Sequence, residues 1–119
     1  MSEDSRITRS LSVRWKMWLE IDGKPVFGPG AYMILKAVQE TGTITEGAKK
    51  LGMSYRYAWG VIRKIEKRID ATLLETHKGG TIGGGGATVT PLGLRFMQLF
   101  ARAEEEFGDV AQEAVRSRS

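Results

Sequence analysis

"ITEGAKKLGMSYRYAWGVIRKIEKRI", residues 44–69, carries two apolar stripes at helical spacing with a break between them. Ile44, Ala48 and Leu51 share one face of the first segment. Ala58, Val61, Ile62, Ile65 and Ile69 share one face of the second. Recurrence at steps of three and four residues marks an amphipathic helix. Thr43 and Glu46 have the T-x-x-E spacing of a capping box, in which each side chain satisfies a backbone donor of the other. Gly52 stops the first helix, and Ser54 stands where the second needs an N-cap. Ala48 is small where the two helices would cross. Two short helices joined by a turn that contains glycine predict a helix-turn-helix, whose second helix enters the major groove of DNA.

The outer side of that second helix supports the same reading. Tyr55, Arg56, Trp59, Gly60 and Arg63 lie on it, flanked by Lys64 and Lys67. Arginine reads guanine through a bidentate bond or grips phosphate; the alternative is an ordinary solvated basic face. Tyr55 and Arg56 are read as DNA contacts, and Tyr57 as packing or reaching a phosphate. Trp59 stands beside Ala58 at the edge of the core stripe, where an indole serves core packing or groove contact equally. Lys49 and Lys50 sit on the first helix, where backbone contacts are usual, with solvated lysines as the other reading.

Beyond this segment, Leu73-Leu74 resumes as a strand, "GGTIGGGGATVT" follows at residues 79–90, and "ATVT" is a returning strand. A strand, a glycine-rich tip and a return strand after the recognition helix would form a wing. Glycines there let the backbone approach phosphates closely or enter a narrow minor groove. A phosphate-cradling loop requires G-x-x-x-x-G-K-[ST], and no lysine follows these glycines. A flexible linker is the remaining alternative. Thr90 caps and Pro91 begins a long last helix. Along it Leu92, Phe96, Leu99, Ala103, Phe107 and Val110 form an apolar seam longer than so small a domain needs.

Upstream, residues 31–41 read as a helix with Ala31, Ile34, Leu35 and Val38 on one face and Gly42 as its stop. "SVRWKMWLEI", residues 12–21, alternates and predicts a strand; Asp22-Gly23 makes the hairpin turn and "VF" the return. Such a strand is too short to cover the last helix as far as Val110. A second copy of the chain is therefore expected on the seam. The first 12 residues read as a disordered tail without the apolar core of a secretory signal.

The totals bound the answer. The chain has 119 residues, 41% of them hydrophobic and 27% charged, which fits one globular domain. The net charge of +4 suits a polyanionic partner without specifying it. With no cysteine and a single histidine, His77, a metal site is not expected, and no cofactor is. The acidic run Glu104–Glu106 reads as a solvated helix face, and no catalytic constellation stands out. No apolar run is long enough to span a bilayer, and the lack of cysteine fits the cytoplasm.

The combination "GTITEGAKKLGMSYRYAW", "LLE" at 73–75, "GGGGA" at 83–87 and "TPLG" at 90–93 resembles the N-terminal DNA-binding domain of ModE-type molybdate-responsive regulators. More distantly it is similar to the winged helix of LysR-type regulators. The resemblance runs from about Val13 to about Phe100 and implies a dimeric, sequence-specific transcription factor. ModE proteins commonly continue into a domain that binds molybdate or tungstate. This chain is read as ending before it, so oxyanion sensing is not carried over. Where the family has arginine after the wing's "LxE", this chain has Thr76, and Lys78 is the candidate replacement.

The expected architecture is α+β, mainly α: a winged helix-turn-helix over residues 13–90 with an N-terminal β-hairpin, then a dimerisation helix over 91–116. The expected partner is double-stranded DNA, bound through Lys49, Ser54, Tyr55, Arg56, Tyr57, Trp59, Arg63 and Lys64, with Lys78, Thr81, Gly84 and Gly85 on the wing. An architectural DNA coater and a protein-interaction or oxyanion-binding module are the alternatives. An enzyme is not expected.

Overall fold

The computed structural model describes residues 3–78 and 85–116. Among them the order of elements is α1 (Glu3–Ser10), β1 (Leu19–Ile21), β2 (Lys24–Phe27), α2 (Pro29–Thr41), α3 (Ile44–Lys50), α4 (Tyr55–Ile69), β3 (Leu74–Thr76), β4 (Ala87–Val89) and α5 (Pro91–Arg116). The architecture is mainly helical, with two small antiparallel hairpins.

The helices at the centre follow the pattern of the sequence. Ala31, Ile34, Leu35 and Val38 of α2 are buried. Gly42 closes that helix in the left-handed region, at φ 88°, and its N–H donates to the Val38 carbonyl. The Thr43 hydroxyl accepts from the Glu46 N–H at 3.0 Å, so the forward half of the capping box is present. Glu46 makes no return bond among the described residues. Ala48 is buried, as its small size at the helix crossing predicts, and Gly47 beside it meets α2 closely. A Cβ on Gly47 would stand 3.0 Å from the Val38 nitrogen, a fit only glycine makes without displacement. Gly52, at φ 72°, turns the chain toward α4. The Ser54 hydroxyl then caps α4 by accepting from the Tyr57 N–H at 3.0 Å. Ala58 and Ile62 of α4 are fully buried, and Val61, Ile65 and Ile69 pack at the margin of the same core.

Both hairpins hang on this core. Asp22 and Gly23 both take positive φ between β1 and β2, as a two-residue hairpin turn demands. Phe27 of β2 meets Phe96 and Phe100 of α5 edge-on, with ring centroids 5.5 and 5.9 Å away. Strands β3 and β4 pair as Leu74 with Val89, Glu75 with Thr88 and Thr76 with Ala87. Thr90 caps α5 by accepting from the Gly93 N–H at 3.0 Å.

Three expectations are corrected. The strand over residues 12–21 forms only at Leu19–Ile21, because β2 offers a partner of four residues and nothing pairs with the rest. Without a ladder, residues 11–15 run along α5 in the opposite direction. Trp15 lies over Gly108, and Leu11 to Val13 share a cleft with Ala111 and Val115. The segment thus reaches past Val110, farther than a paired strand would have. The first residues are also not simply a tail, since Glu3–Ser10 is helical, although this helix buries none of its residues.

The third correction concerns α5. Its core face is Gly93, Met97 and Phe100, with Leu92 and Phe96 beside it. The predicted seam therefore divides. Leu92 and Phe96 belong to the core of the same chain. Leu99, Phe107 and Val110 are 56%, 61% and 67% exposed, and Ala103 is half-buried between them.

Candidate nucleic-acid interface

Helix α4 presents two faces set by its own periodicity. The apolar face is spent in the core. On the other, Tyr55, Arg56, Tyr57, Gly60, Arg63, Lys64 and Lys67 are exposed. Positions 56, 60, 63 and 67 recur at helical spacing, so Arg56, Arg63 and Lys67 form one cationic row. Among the described residues no carboxylate pairs with these cations, nor with Lys64. Lys50, by contrast, is held by Glu40 at 2.7 Å, an ion pair between α3 and α2. This contact holds the Glu40 carboxyl below the usual carboxylate range, through the hydrogen bond and the charge of Lys50. Lys49 points to solvent. Ser54 lends its oxygen to the helix cap and keeps its own O–H to donate.

Trp59 stands at the edge of the core, as its place beside Ala58 predicts. It packs against the core while remaining partly accessible, and the Arg63 guanidinium lies 5.4 Å from its ring centroid. A cation over an indole face is attracted by the ring quadrupole. Trp59 therefore steadies Arg63 on the outer face.

On the wing, Lys78 and Gly85 are exposed. Thr81 and Gly84 lie outside the described residues. His77 holds the strands in register, with its N–H on the Gly86 carbonyl at 2.8 Å and its Nε2 2.9 Å from the Thr88 hydroxyl.

The sequence reading missed the residues that orient the wing. Glu66, on the inner border of the basic row, accepts the Leu73 and Leu74 N–H groups on one oxygen, at 2.7 and 3.1 Å. Thr90 donates its hydroxyl to the Thr72 carbonyl at 2.7 Å. The Gly42 carbonyl accepts the Ala87 N–H at 2.9 Å. The one signal in the sequence was an acid among basic residues a turn before the helix ends.

Three helices with the third exposed and basic, followed by a hairpin anchored beside it, define a winged helix-turn-helix domain. Residues 30–94 match the family described as bacterial regulatory helix-turn-helix protein, lysR family. That match takes in more than half of the chain, and the chain belongs to this family. It is similar to the transcriptional regulator ModE of Yersinia pestis, 42% identical over 72 residues, covering 60% of this chain and 27% of that protein. It is also similar to the DNA-binding transcriptional dual regulator ModE of Escherichia coli K12, 37% identical over 82 residues, covering 69% of this chain and 31% of that protein. The chain thus spans less than a third of the length of these two relatives. Among solved structures, the CbnR DNA-binding domain in its DNA complex aligns at TM-score 0.57 and 21% identity, over 75% of this chain and 95% of that one. The BenM DNA-binding domain bound to benA site 1 DNA aligns at TM-score 0.53 and 23% identity, over 76% and 92%. At these identities the likeness is one of fold. The family is one of bacterial regulatory helix-turn-helix proteins, and both ModE relatives are transcriptional regulators. No described helix is long and apolar enough to cross a membrane.

Proposed function

We propose that this chain is a sequence-specific, double-stranded-DNA-binding transcriptional regulator that acts as a homodimer in the cytoplasm. Residues 13–90 form the binding unit and residues 91–116 the dimerisation helix. In this reading α4 enters the major groove. Tyr55 and Arg56 face base edges; Ser54, Tyr57, Arg63 and Lys64 meet phosphates, and Trp59 backs Arg63. Lys49 touches the backbone from α3. The wing lies on the backbone or in the minor groove through Lys78, Thr81, Gly84 and Gly85. The observation that carries the reading is the row of exposed cations on α4 without acidic partners. Cations left unpaired on one helix face are arranged for phosphate and base acceptors. The solved DNA complexes of like fold and the name of the E. coli relative support it.

The homodimer rests on the exposed side of α5. Leu99, Phe107 and Val110 are left uncovered by the segment that runs along this helix. A two-fold pairing buries the same patch on both subunits and holds two recognition helices about one DNA turn, roughly 34 Å, or a multiple of it apart. The test is selection of bound sequences from a random duplex pool. The reading expects a palindromic consensus. A pool that stays random, with binding intact, would instead mark an architectural coater.

A further inference from the structure

We infer that Glu66 is a positioning residue that sets the angle of the wing against helix α4, an inference that rests on the DNA-binding reading above. A single carboxylate oxygen takes both the Leu73 and the Leu74 N–H, at 2.7 and 3.1 Å. Leu73 leads into β3 and Leu74 opens it, and both side chains are buried, so the strand cannot drift without breaking these bonds. Leu73 is held at its other end too, since its carbonyl accepts the Thr90 N–H at 3.0 Å. The opposite strand is tied elsewhere, by the Gly42 carbonyl to Ala87 and by the Thr90 hydroxyl to Thr72. Among the described residues Glu66 is therefore the α4 side chain that joins the recognition helix to the wing by hydrogen bonds, beside the apolar contacts of the shared core.

An ionised acceptor makes stronger hydrogen bonds than a neutral one, and here it is satisfied by two convergent amides. The α4 cations and Lys78 sit on the two elements this link connects. Duplex phosphates have fixed spacing, so both elements bind together only when their mutual angle is held. Removing the link lets the wing turn away while α4 keeps its own contacts.

The experiment is a cycle of Lys78→Ala in three backgrounds: wild type, Glu66→Ala and Glu66→Gln. Affinity for the selected duplex is measured as a function of salt, well below the melting temperature of each variant. In the wild type, loss of Lys78 should lower the slope of log K against log[salt] by about one phosphate contact. Glutamine keeps an acceptor oxygen at the same reach, so the Glu66→Gln background should show the same drop. In Glu66→Ala the slope should already be lower, and Lys78→Ala should change it no further. A merely stabilising Glu66 would leave the two effects additive, and that result overturns the inference. If Glu66→Ala does not fold, Glu66→Asp takes its place: it keeps the charge but falls short of both amides. A Lys78→Ala drop in that variant as large as in the wild type also overturns the inference. A Lys78→Ala protein that binds as the wild type does removes the wing from the interface and this inference with it, while the selection experiment separately decides whether DNA is bound in sequence.

Discussion

Replacing Gly93 with alanine places a Cβ 2.7 Å from the Leu73 carbonyl oxygen and 2.7 Å from Val89 Cγ1. An unstrained carbon-to-carbonyl-oxygen contact is about 3.3–3.6 Å. Helix and wing root would therefore have to separate by more than half an ångström, roughly, at a point where neither neighbour yields. The oxygen belongs to backbone that already accepts the Thr90 N–H at 3.0 Å, and Val89 is buried. Overpacking of this kind costs about 1–3 kcal/mol. Alanine returns about 0.8–1 kcal/mol of helix propensity over glycine. Two such contacts against unyielding atoms place the cost in the upper half of that range, so the net expectation is a loss of about 1–2 kcal/mol, which lowers the melting temperature by roughly 4–8 °C in a domain of this size. Gly60→Ala is the comparison. Gly60 also lies inside a helix, but a Cβ there meets nothing within 4 Å, so the same substitution should stabilise by about 0.8–1 kcal/mol. Both are read by urea and thermal unfolding at one protein concentration, because a dimer's stability depends on it. A Gly93→Ala protein as stable as the wild type would refute the packing argument.

Three further outcomes are expected. Arg56→Ala should weaken the best duplex by roughly 1–3 kcal/mol if it reads a base; an equal loss on every duplex would make it a phosphate contact, and no loss would take α4 out of the interface. Leu99→Glu with Phe107→Glu should halve the mass seen by light scattering at micromolar concentration, and an unchanged mass would defeat the α5 dimer. Lys50→Ala should let the Glu40 pKa rise toward its ordinary value in an NMR titration. In the wild type that pKa is lowered on folding, so the pair stabilises above the unfolded carboxylate value and ceases to as pH falls through the folded one. A Glu40 titration unmoved by the substitution would deny the pair.

Helices α2 to α4 were legible because their apolar periodicity, caps and stop glycines all point the same way. Gly42, Gly52 and Ser54 each hold the place the sequence predicts. The wing strands were legible for the same reason, since short β runs flank the glycines. The segment before β1 was not. Alternation in Arg14 to Leu19 signals extended backbone, but it cannot say whether a neighbouring strand exists to pair with it. On α5 two apolar stripes lie side by side, one spent on Phe27 and the core, one left outside, and a single periodic pattern merges them. Gly47 and Gly93 are close-packing residues, and a glycine inside a helix shows its reason only when the neighbour's distance is known. Glu66 escaped because its partners are backbone amides, which carry no mark in the sequence.

The central claim is that α4 and the wing discriminate among DNA sequences. Fluorescence anisotropy at one fixed salt concentration, on the selected duplex and on its shuffled counterpart, tests it most directly. The account predicts that the selected duplex binds about a thousandfold or more tighter. Equal affinity for both would contradict it.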